Sequence, residues 1–311
     1  MKDNYGREIS YLRVSVTERC NLNCIYCGKD NCAKKDRELS ADEIFLLVRA
    51  FADCGIKKVR VTGGEPLVRN DICEIISKIR SVDKIEKISL TTNGVYLKKY
   101  AFSLAAAGLD SVNISLDSTD GSTYRHLTGS DVLEKVMNGI DEAEKAGLTP
   151  IKINAVLMKG VNSDGAGELI NLAKSRKIDV RFIELMPFSD TGEDKSMIVT
   201  GNEILSEFPF LKKPVTVEGT AEYYTAEGFT GRVGLINPIS RKFCKNCNRV
   251  RLLSDGKAKP CLGSEDLFDL MPYINDREKL ADRVKSVIQS KPQGHHFEKK
   301  APSHGLNKTG G

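Results

Sequence analysis

The sequence predicts an α/β protein, an incomplete (β/α)6 TIM-like barrel with a smaller C-terminal domain covering its open side. Strand-like and helix-like segments alternate six times between residue 10 and about residue 210. Repeated βα units form a parallel sheet with right-handed crossovers, and six units are two short of a closed eightfold barrel. After residue 210, Pro and Gly break the alternation. We therefore expect a barrel over residues 1–212 and a second domain over 213–311.

Each βα unit has its own pattern of apolar residues and boundary signals. The predicted strands span residues 11–17, 58–62, 87–92, 111–116, 151–157 and 180–185. The predicted helices span residues 41–53, 71–80, 98–107, 132–146, 165–176 and 201–208, with one more over 277–290. Ser40 and Glu43 form a capping box, while Gly108 and Gly147 follow helices as C′ residues. The polar tail from Lys291 onward is typical of disorder.

The basic charge of the chain lies in its C-terminal third. The 311 residues have a net charge of +5, and residues 221–311 hold 16 Lys and Arg against 10 Asp and Glu. This excess favours an anionic ligand. Aromatic residues make up only 6% and Trp is absent, so stacking platforms for nucleic acid are scarce. Without a signal peptide or an apolar run of membrane length, we expect a cytoplasmic protein with reduced cysteines.

Three cysteines crowd the loop after the first strand. Cys20, Cys24 and Cys27 have the spacing C-x3-C-x2-C. Three thiolates on a short loop suit an iron–sulfur cluster with one iron left open, whereas a structural zinc site uses four ligands. A zinc knuckle or chance clustering is the alternative.

A second cysteine trio lies in the basic segment. Cys244 and Cys247 form a CxxC pair, and Cys261 follows fourteen residues later. A lone CxxC could be redox-active or half of a zinc site. Arg249 and Arg251, however, alternate on one predicted strand face and suit phosphate oxygens. The pattern therefore indicates a second open cluster beside a phosphate site.

Polar residues gather where the predicted strands end, which is the ligand-binding face of barrel enzymes. Gly63 and Gly64, in Gly-Gly-Glu-Pro after the second strand, permit close approach of the backbone to a ligand, although a plain turn would use the same residues. Arg60 lies inside an apolar strand and needs an anionic ligand or a buried Glu as partner. The other strand-end groups are Thr91, Thr92, Asn93, Ser115, Asp117, Lys152, Asn154, Arg181, Glu184 and Met186.

These motifs resemble those of the radical S-adenosylmethionine superfamily. The resemblance rests on the C-x3-C-x2-C loop, with Tyr26 before its third cysteine, and on Gly-Gly-Glu-Pro after the second strand. Further residues are similar to the family that cyclises GTP in the first step of molybdenum cofactor biosynthesis. They are Arg13, Arg60, Cys244, Cys247, Cys261, Arg249, Arg251 and the terminal Gly310 and Gly311. The resemblance covers nearly the whole chain.

The resemblance implies cofactors and contacts residue by residue. Two 4Fe–4S clusters would be held by Cys20, Cys24 and Cys27, and by Cys244, Cys247 and Cys261. S-adenosylmethionine would be contacted by Tyr26, Gly64, Ser115 and Met186. GTP would be contacted by Arg13, Arg60, Thr91, Lys152, Arg249, Val250 and Arg251. Arg13 and the Gly310–Gly311 tail, which in the family reaches into the active site, would support catalysis.

The implied reaction starts with reductive cleavage of S-adenosylmethionine to a 5′-deoxyadenosyl radical. Hydrogen abstraction from C3′ of GTP and attack of the C3′ radical on C8, followed by uptake of one electron and one proton, would give (8S)-3′,8-cyclo-7,8-dihydro-GTP. The implied partners are a flavodoxin- or ferredoxin-type electron donor, a second copy in a homodimer, and cyclic pyranopterin monophosphate synthase, which takes the product. Neither a membrane nor a nucleic acid is expected as a partner.

Some features depart from the family pattern or leave alternatives open. Gly28 and Lys29 replace the usual Met-Pro, and the loop over residues 28–39 is short. Cys54 and Cys73 are expected in the core and Cys32 outside both clusters. The alternatives are a peptide-modifying radical enzyme with an auxiliary cluster and a non-catalytic iron–sulfur or zinc protein that binds nucleic acid.

Overall fold

The computed structural model describes residues 1–28, 37–297 and 305–309, without the side chains of 213–215, 307 and 308. Its first six strands form the parallel sheet β1 to β6 in sequence order. Their bounds are β1 Tyr11–Ser15, β2 Lys58–Thr62, β3 Lys87–Thr92, β4 Ser111–Ser115, β5 Ile151–Leu157 and β6 Ile178–Glu184. All six predicted strands are confirmed, with ends that shift by at most two residues.

Helices connect these strands and cover the outside of the sheet. Their bounds are α1 Ala41–Asp53, α2 Ile72–Arg80, α3 Leu97–Ala106, α4 Gly121–Thr128, α5 Leu133–Lys145, α6 Ala166–Ser175, α7 Asp190–Glu193, α8 Gly201–Glu207, α9 Arg277–Gln289 and α10 Leu306–Thr309. The Ser40–Glu43 capping box is present. Gly108 and Gly147 follow their helices with φ of 96° and 73°. The seven predicted helices are confirmed, whereas α4, α7 and α10 were not predicted because they are short and largely polar.

The C-terminal strands extend both edges of the six-stranded unit. They are β7 Lys212–Glu218, β8 Ala221–Thr225, β9 Val233–Ile236, β10 Arg249–Leu252, β11 Lys257–Lys259 and β12 Phe268–Asp269. Strand β10 pairs in parallel with β1, and β9 pairs in parallel with β6. In the described residues the sheet runs β12-β11-β10-β1-β2-β3-β4-β5-β6-β9-β8-β7. The predicted incomplete barrel is thus open between β1 and β6, and the C-terminal part of the chain is attached at both edges.

Glu184 joins the last barrel strand to the C-terminal part. Its side chain is 2% exposed and accepts hydrogen bonds from the backbone N–H groups of Ile239 and Ser240 at 2.9 and 3.0 Å. The Ser240 hydroxyl donates to the same carboxylate. Glu184 was predicted only as a strand-end polar group, and the structure gives it this joining role.

The expectation of a disordered tail from Lys291 is wrong for residues 291–297. Lys291, His295 and Phe297 are 2%, 8% and 8% exposed, so the segment packs on the protein. The polarity of single residues was misleading here because the ammonium group of Lys291 is buried and donates to two backbone carbonyls. Cys54 is buried in the core as expected, and Cys73 is partly buried and packs against the core. Cys32 lies outside the described residues. Across the described ranges, we find no helix long and apolar enough to cross a membrane.

Candidate active site

A cavity of about 630 Å³ lies inside the barrel, between the first cysteine loop and strand β10. All four predicted S-adenosylmethionine contacts line it, namely Tyr26, Gly64, Ser115 and Met186. Six of the seven predicted GTP contacts also line it, namely Arg13, Arg60, Thr91, Lys152, Arg249 and Arg251. The structure therefore brings most of the predicted residues to one place.

Val250 is the predicted GTP contact that does not line the cavity. It lies between Arg249 and Arg251 in β10, and alternation along the strand turns its side chain to the other face. There it is fully buried in the hydrophobic core. Any contact of Val250 with a ligand would therefore have to use its backbone.

The first cysteine loop is fixed by backbone hydrogen bonds to the end of α4. The N–H groups of Asn23 and Ile25 donate to the carbonyl oxygens of Thr128 and Leu127, both at 3.0 Å. Cys20, Cys24 and Cys27 all line the cavity. Helix α4 thus holds the loop in place.

Gly-Gly-Glu-Pro joins this loop to the neighbouring strand ends. A Cβ on Gly64 would lie 2.4 Å from the carbonyl oxygen of Arg19, so only glycine fits beside the cysteine loop. Glu65 is fully buried and accepts from Thr92 Oγ1 at 2.8 Å and from the Asn93 N–H at 2.6 Å. Burial outweighs these hydrogen bonds and raises the pKa of Glu65 to about 7. The motif at the end of β2 therefore connects the loop after β1 with the end of β3.

The three thiols of the first trio lie close to one another at the wall of the cavity. Burial, followed by Asp117 and the two other cysteines, holds the pKa of Cys24 well above its usual range, so the three thiols lie close enough to interact. Tyr26 donates to Asp117 at 2.6 Å beside them. Within the described ranges, no three His, Cys, Asp or Glu side chains converge as ligands of one metal ion. A four-iron cluster instead binds each thiolate at a separate iron.

Arginines form a row across the opposite part of the cavity. Arg13 in β1 lies in register with Arg251 in β10 and with Arg60 in β2. Burial, and then Arg251 and Arg60, hold the pKa of Arg13 well below its usual value. Within the described residues no carboxylate lies within 4 Å of Arg60, so the predicted alternative of a buried Glu partner does not apply there. Like charges in register are unfavourable, so this row favours an anionic ligand.

Buried polar atoms around the cavity also lack partners among the described residues. They are Nε of Arg60 and of Arg181, Oγ1 of Thr91 and Oδ1 of Asn154. An exchange of oxygen and nitrogen in the Asn113 amide lets it accept from Arg60 and, at 2.8 Å, from Arg181 Nη2. Because buried polar atoms are normally paired, the remaining four indicate a polar ligand.

The second cysteine trio lies on the segments before β10 and after β11, next to residues that line the cavity. Cys244, Cys247 and Cys261 do not line the cavity themselves, but Phe243, Arg249 and Leu262 do. Burial acts to raise the pKa of Cys247, yet Lys291, Arg249, the Arg249 N–H and Arg251 outweigh it and lower that pKa. Burial raises the pKa of the Cys244 thiol, and the charges of Cys261 and Cys247 act in the same direction. These thiols therefore form a group in a basic environment.

The C-terminal helix α10 reaches both sides of the site. The Leu306 N–H donates to the Cys27 carbonyl at 3.2 Å, and Leu306 lines the cavity. Arg251 Nη1 donates to the Thr309 carbonyl at 2.8 Å. Gly310 and Gly311 lie outside the described residues, directly after this contact.

Sequence reasoning missed several cavity residues. Tyr11 precedes Arg13 by two positions on the same face, and this period-2 pattern could have identified it. Arg60 and Arg249 lie 5.7 and 6.0 Å from its ring centre. Thr220 accepts from Arg249 Nη2 at 2.6 Å. It sits at the tip of the β7–β8 hairpin, where no motif marks it.

Family profiles match almost the whole chain. The Radical SAM superfamily profile matches residues 14–173, and the Molybdenum Cofactor Synthesis C profile matches residues 178–297. A relative from Alkaliphilus oremlandii named GTP 3′,8-cyclase is 45% identical over 100% of both chains. One of the same name from Peptoclostridium acidaminophilum is 43% identical over 95% of this chain and 93% of its own. The chain belongs to the GTP 3′,8-cyclase family of the radical SAM superfamily. It is a radical SAM enzyme of molybdenum cofactor biosynthesis, and its family uses a 4Fe–4S cluster and S-adenosylmethionine.

Solved structures support the fold of this radical SAM chain. Streptococcus suis SuiB bound to S-adenosylmethionine superposes with a TM-score of 0.61 at 16% identity, over 91% of this chain and 68% of that one. Native anSMEcpe with bound AdoMet gives 0.58 at 15% identity, over 89% of this chain and 82% of that one. At these identities the likeness shows a common fold.

Proposed function

We propose that this radical SAM enzyme converts GTP to (8S)-3′,8-cyclo-7,8-dihydro-GTP in the cavity between its two cysteine trios. The observation that carries the proposal is the in-register row of Arg251, Arg13 and Arg60, which faces the same cavity as the first cysteine loop. A triphosphate would present anionic oxygens to these guanidinium groups, whose geometry suits phosphate. The relatives named GTP 3′,8-cyclase support the same substrate.

Cys20, Cys24 and Cys27 would hold the first cluster, and Tyr26, Gly64, Ser115 and Met186 would contact S-adenosylmethionine. When bound, this pair supplies a 5′-deoxyadenosyl radical. Both would lie at the end of the cavity where Tyr26 donates to Asp117. Burial raises the pKa of Asp117 to about 6, against the hydrogen bonds from Tyr26 and the Val156 N–H. Buried carboxyl groups suit this end for a positively charged sulfonium.

The arginine end would bind the triphosphate and orient the ribose. Arg13, Arg60, Arg249 and Arg251 provide guanidinium forks, and Lys152 and Thr91 add donors on β5 and β3. Burial, and then Arg181, lower the pKa of Lys152. An incoming phosphate would act on this pKa in the opposite direction and would pair with Lys152 and with the row. Arg13 and the Gly310–Gly311 tail are the proposed supporting groups for catalysis.

A second 4Fe–4S cluster at Cys244, Cys247 and Cys261 fits the donor set. These thiols interact with one another, and cations around Cys247 favour its thiolate form. Thiolates are the form that binds iron. With three protein ligands this cluster would leave one iron for the purine edge of GTP.

Further proposals concern the partners and the division of the chain. A flavodoxin- or ferredoxin-type protein would supply electrons, and cyclic pyranopterin monophosphate synthase would consume the product. The enzyme would act in the cytoplasm, as a homodimer. The barrel would end at residue 212 and the GTP-binding C-terminal region would begin at residue 213.

An anaerobic assay of the full chain tests the function. Protein, dithionite, S-adenosylmethionine and GTP are incubated, and products are analysed by mass spectrometry and by hydrolysis to a pterin. We expect 5′-deoxyadenosine together with a GTP-derived product that has the same elemental composition as GTP. ATP in place of GTP is the control. Cleavage of S-adenosylmethionine without any GTP-derived product would contradict the proposal.

A further inference from the structure

The segment over residues 291–297, which we call the strap, packs against the second cysteine trio. A Cβ on Gly294 would lie 3.5 Å from Cβ and 3.6 Å from Sγ of Cys244. The backbone of His295 hydrogen bonds to the Cys244 thiol. The strap therefore touches a proposed cluster ligand directly, and none of the roles proposed above involves it.

The N-terminus of the chain holds the strap in place through Arg7. Its guanidinium donates to the carbonyl oxygens of Pro292 at 2.6 Å and Gln293 at 3.1 Å. The same group donates to the Cys244 carbonyl at 2.9 Å and is ion-paired with Asp3 at 2.6 Å. Strap and cysteine are therefore fixed relative to each other by one buried side chain.

Lys291, the first residue of the strap, has its ammonium buried next to the other two cysteines. It is 2% exposed, and its Nζ donates to the Arg249 carbonyl at 2.6 Å and the Pro260 carbonyl at 3.0 Å. Arg249 follows Cys247 by two residues, and Pro260 directly precedes Cys261. One ammonium thus connects the backbone segments that carry two of the three thiols.

The charge of Lys291 has no carboxylate partner within 4 Å among the described residues. Burial of an unpaired cation is costly, so neutral carbonyls alone are poor compensation. Of the charges that act on the Cys247 thiol, that of Lys291 is the largest. The nearby negative charge that would balance it is that of three thiolates bound to iron.

We propose that Lys291 is a positioning residue of the second cluster, fixing Cys247 relative to Cys261 and supplying a buried positive charge to the iron–sulfur site. The inference rests on the proposed second cluster. Net charge and nearby hydrogen bonds set the reduction potential of a cluster, and outer-shell groups strongly affect metal retention. Lys291 should therefore make the second cluster easier to reduce and harder to lose.

The test uses full-length Lys291→Gln and Lys291→Met, reconstituted anaerobically, with Lys285→Gln as the matched control. Lys285 lies on α9 with a half-exposed side chain paired to Asp282, so its replacement removes the same charge elsewhere. Iron and sulfide are quantified, and each cluster is titrated by electron paramagnetic resonance. The unaltered chain must first show about eight irons, the content of two four-iron clusters. About four irons there would refute the second cluster itself.

Given two clusters, we expect Lys291→Gln to shift the midpoint potential of the second cluster to a more negative value. Lys291→Met should lose about half of the iron, since it also removes both hydrogen bonds. The first cluster should stay unchanged in both variants. Iron content and potential equal to those of Lys285→Gln would overturn the inference. Joint loss of both clusters with collapse of the circular dichroism signal would also overturn it, because it would mean a general structural role.

Discussion

The two cysteine trios lie in oppositely charged surroundings. Near the first, burial and Asp117 raise the pKa of Cys24, and Glu65 acts in the same direction on Cys20 after burial. Near the second, Lys291 and Arg249 lower the pKa of Cys247 against the effect of burial. One cavity thus has an acidic end suited to a sulfonium and a basic end suited to a triphosphate. The difference teaches that two cysteine trios of one chain can serve different ligands, and that the surrounding charges distinguish them.

The largest effect is expected at the acidic end. Cys24→Ala should abolish reductive cleavage of S-adenosylmethionine, because it removes one of the three proposed ligands of the first cluster. Formation of 5′-deoxyadenosine measures this, and Cys73→Ala, a cysteine packed at the core, is the matched control. GTP binding should survive in both variants. Cleavage at the normal rate in Cys24→Ala would remove the basis for assigning this loop to the cluster.

Deletion of Gly310 and Gly311 tests whether the acidic and basic ends of the cavity act together in the reaction. Helix α10 contacts Cys27 on one side and Arg251 on the other, and the two glycines follow Thr309 in the sequence. We expect cyclisation to fall strongly while GTP still binds and S-adenosylmethionine is still cleaved. Product yield per 5′-deoxyadenosine is the measurement. An unchanged ratio would show that the tail has no part in the reaction.

At the basic end, Arg249→Ala should weaken GTP binding and leave both clusters assembled. Loss of a charge-assisted contact costs about 1.5–3 kcal/mol, or roughly 10- to 100-fold in Kd. Equilibrium dialysis with GTP, alongside iron analysis, measures the two properties separately. The control is Arg241→Ala, an exposed arginine of the same segment that pairs with Glu222. Equal affinity in the two variants would count against a phosphate site on β10.

The smallest effect is expected for the pH dependence of GTP binding at the basic end of the cavity. Burial acts to raise the pKa of Tyr11, but Arg60, Arg13 and Arg249 outweigh it and lower that pKa to about 8. Above this pH, the phenolate adds negative charge beside the arginines, so GTP affinity should fall a few-fold as pH rises from 7 to 9. In Tyr11→Phe this fall should be reduced. An identical pH profile in the variant would exclude Tyr11 as its source.

The barrel and most of the cavity were predictable because their signals are local. Period-2 strands, capping residues and cysteine spacing identified the βα units and the cysteine loop. The placement of Arg60 in an apolar strand already required an anion, and the structure puts it in register with Arg13. These features depend on residues that lie close together in the chain.

The missed residues act through contacts between distant parts of the chain. Arg7 and Lys291 look like ordinary polar residues in the sequence, and only the fold shows that both are buried against the second trio. Thr220 meets Arg249 only because the β7–β8 hairpin reaches the cavity. No short motif predicts these contacts, since Arg7 and Lys291 donate to backbone carbonyls, which every residue has.

The parallel pairing of β10 with β1 affects the order in which the chain folds during synthesis. Asn248 and Ser10, which are hydrogen bonded at the start of this pairing, are 238 residues apart. Contacts of such long separation form late in folding, after local units have formed. A ribosome-bound chain can therefore complete the cysteine loop on β1 long before the arginines of β10 arrive. The half proposed to generate the radical can fold early, while the proposed GTP site becomes complete only when the last part of the chain returns to the first strand.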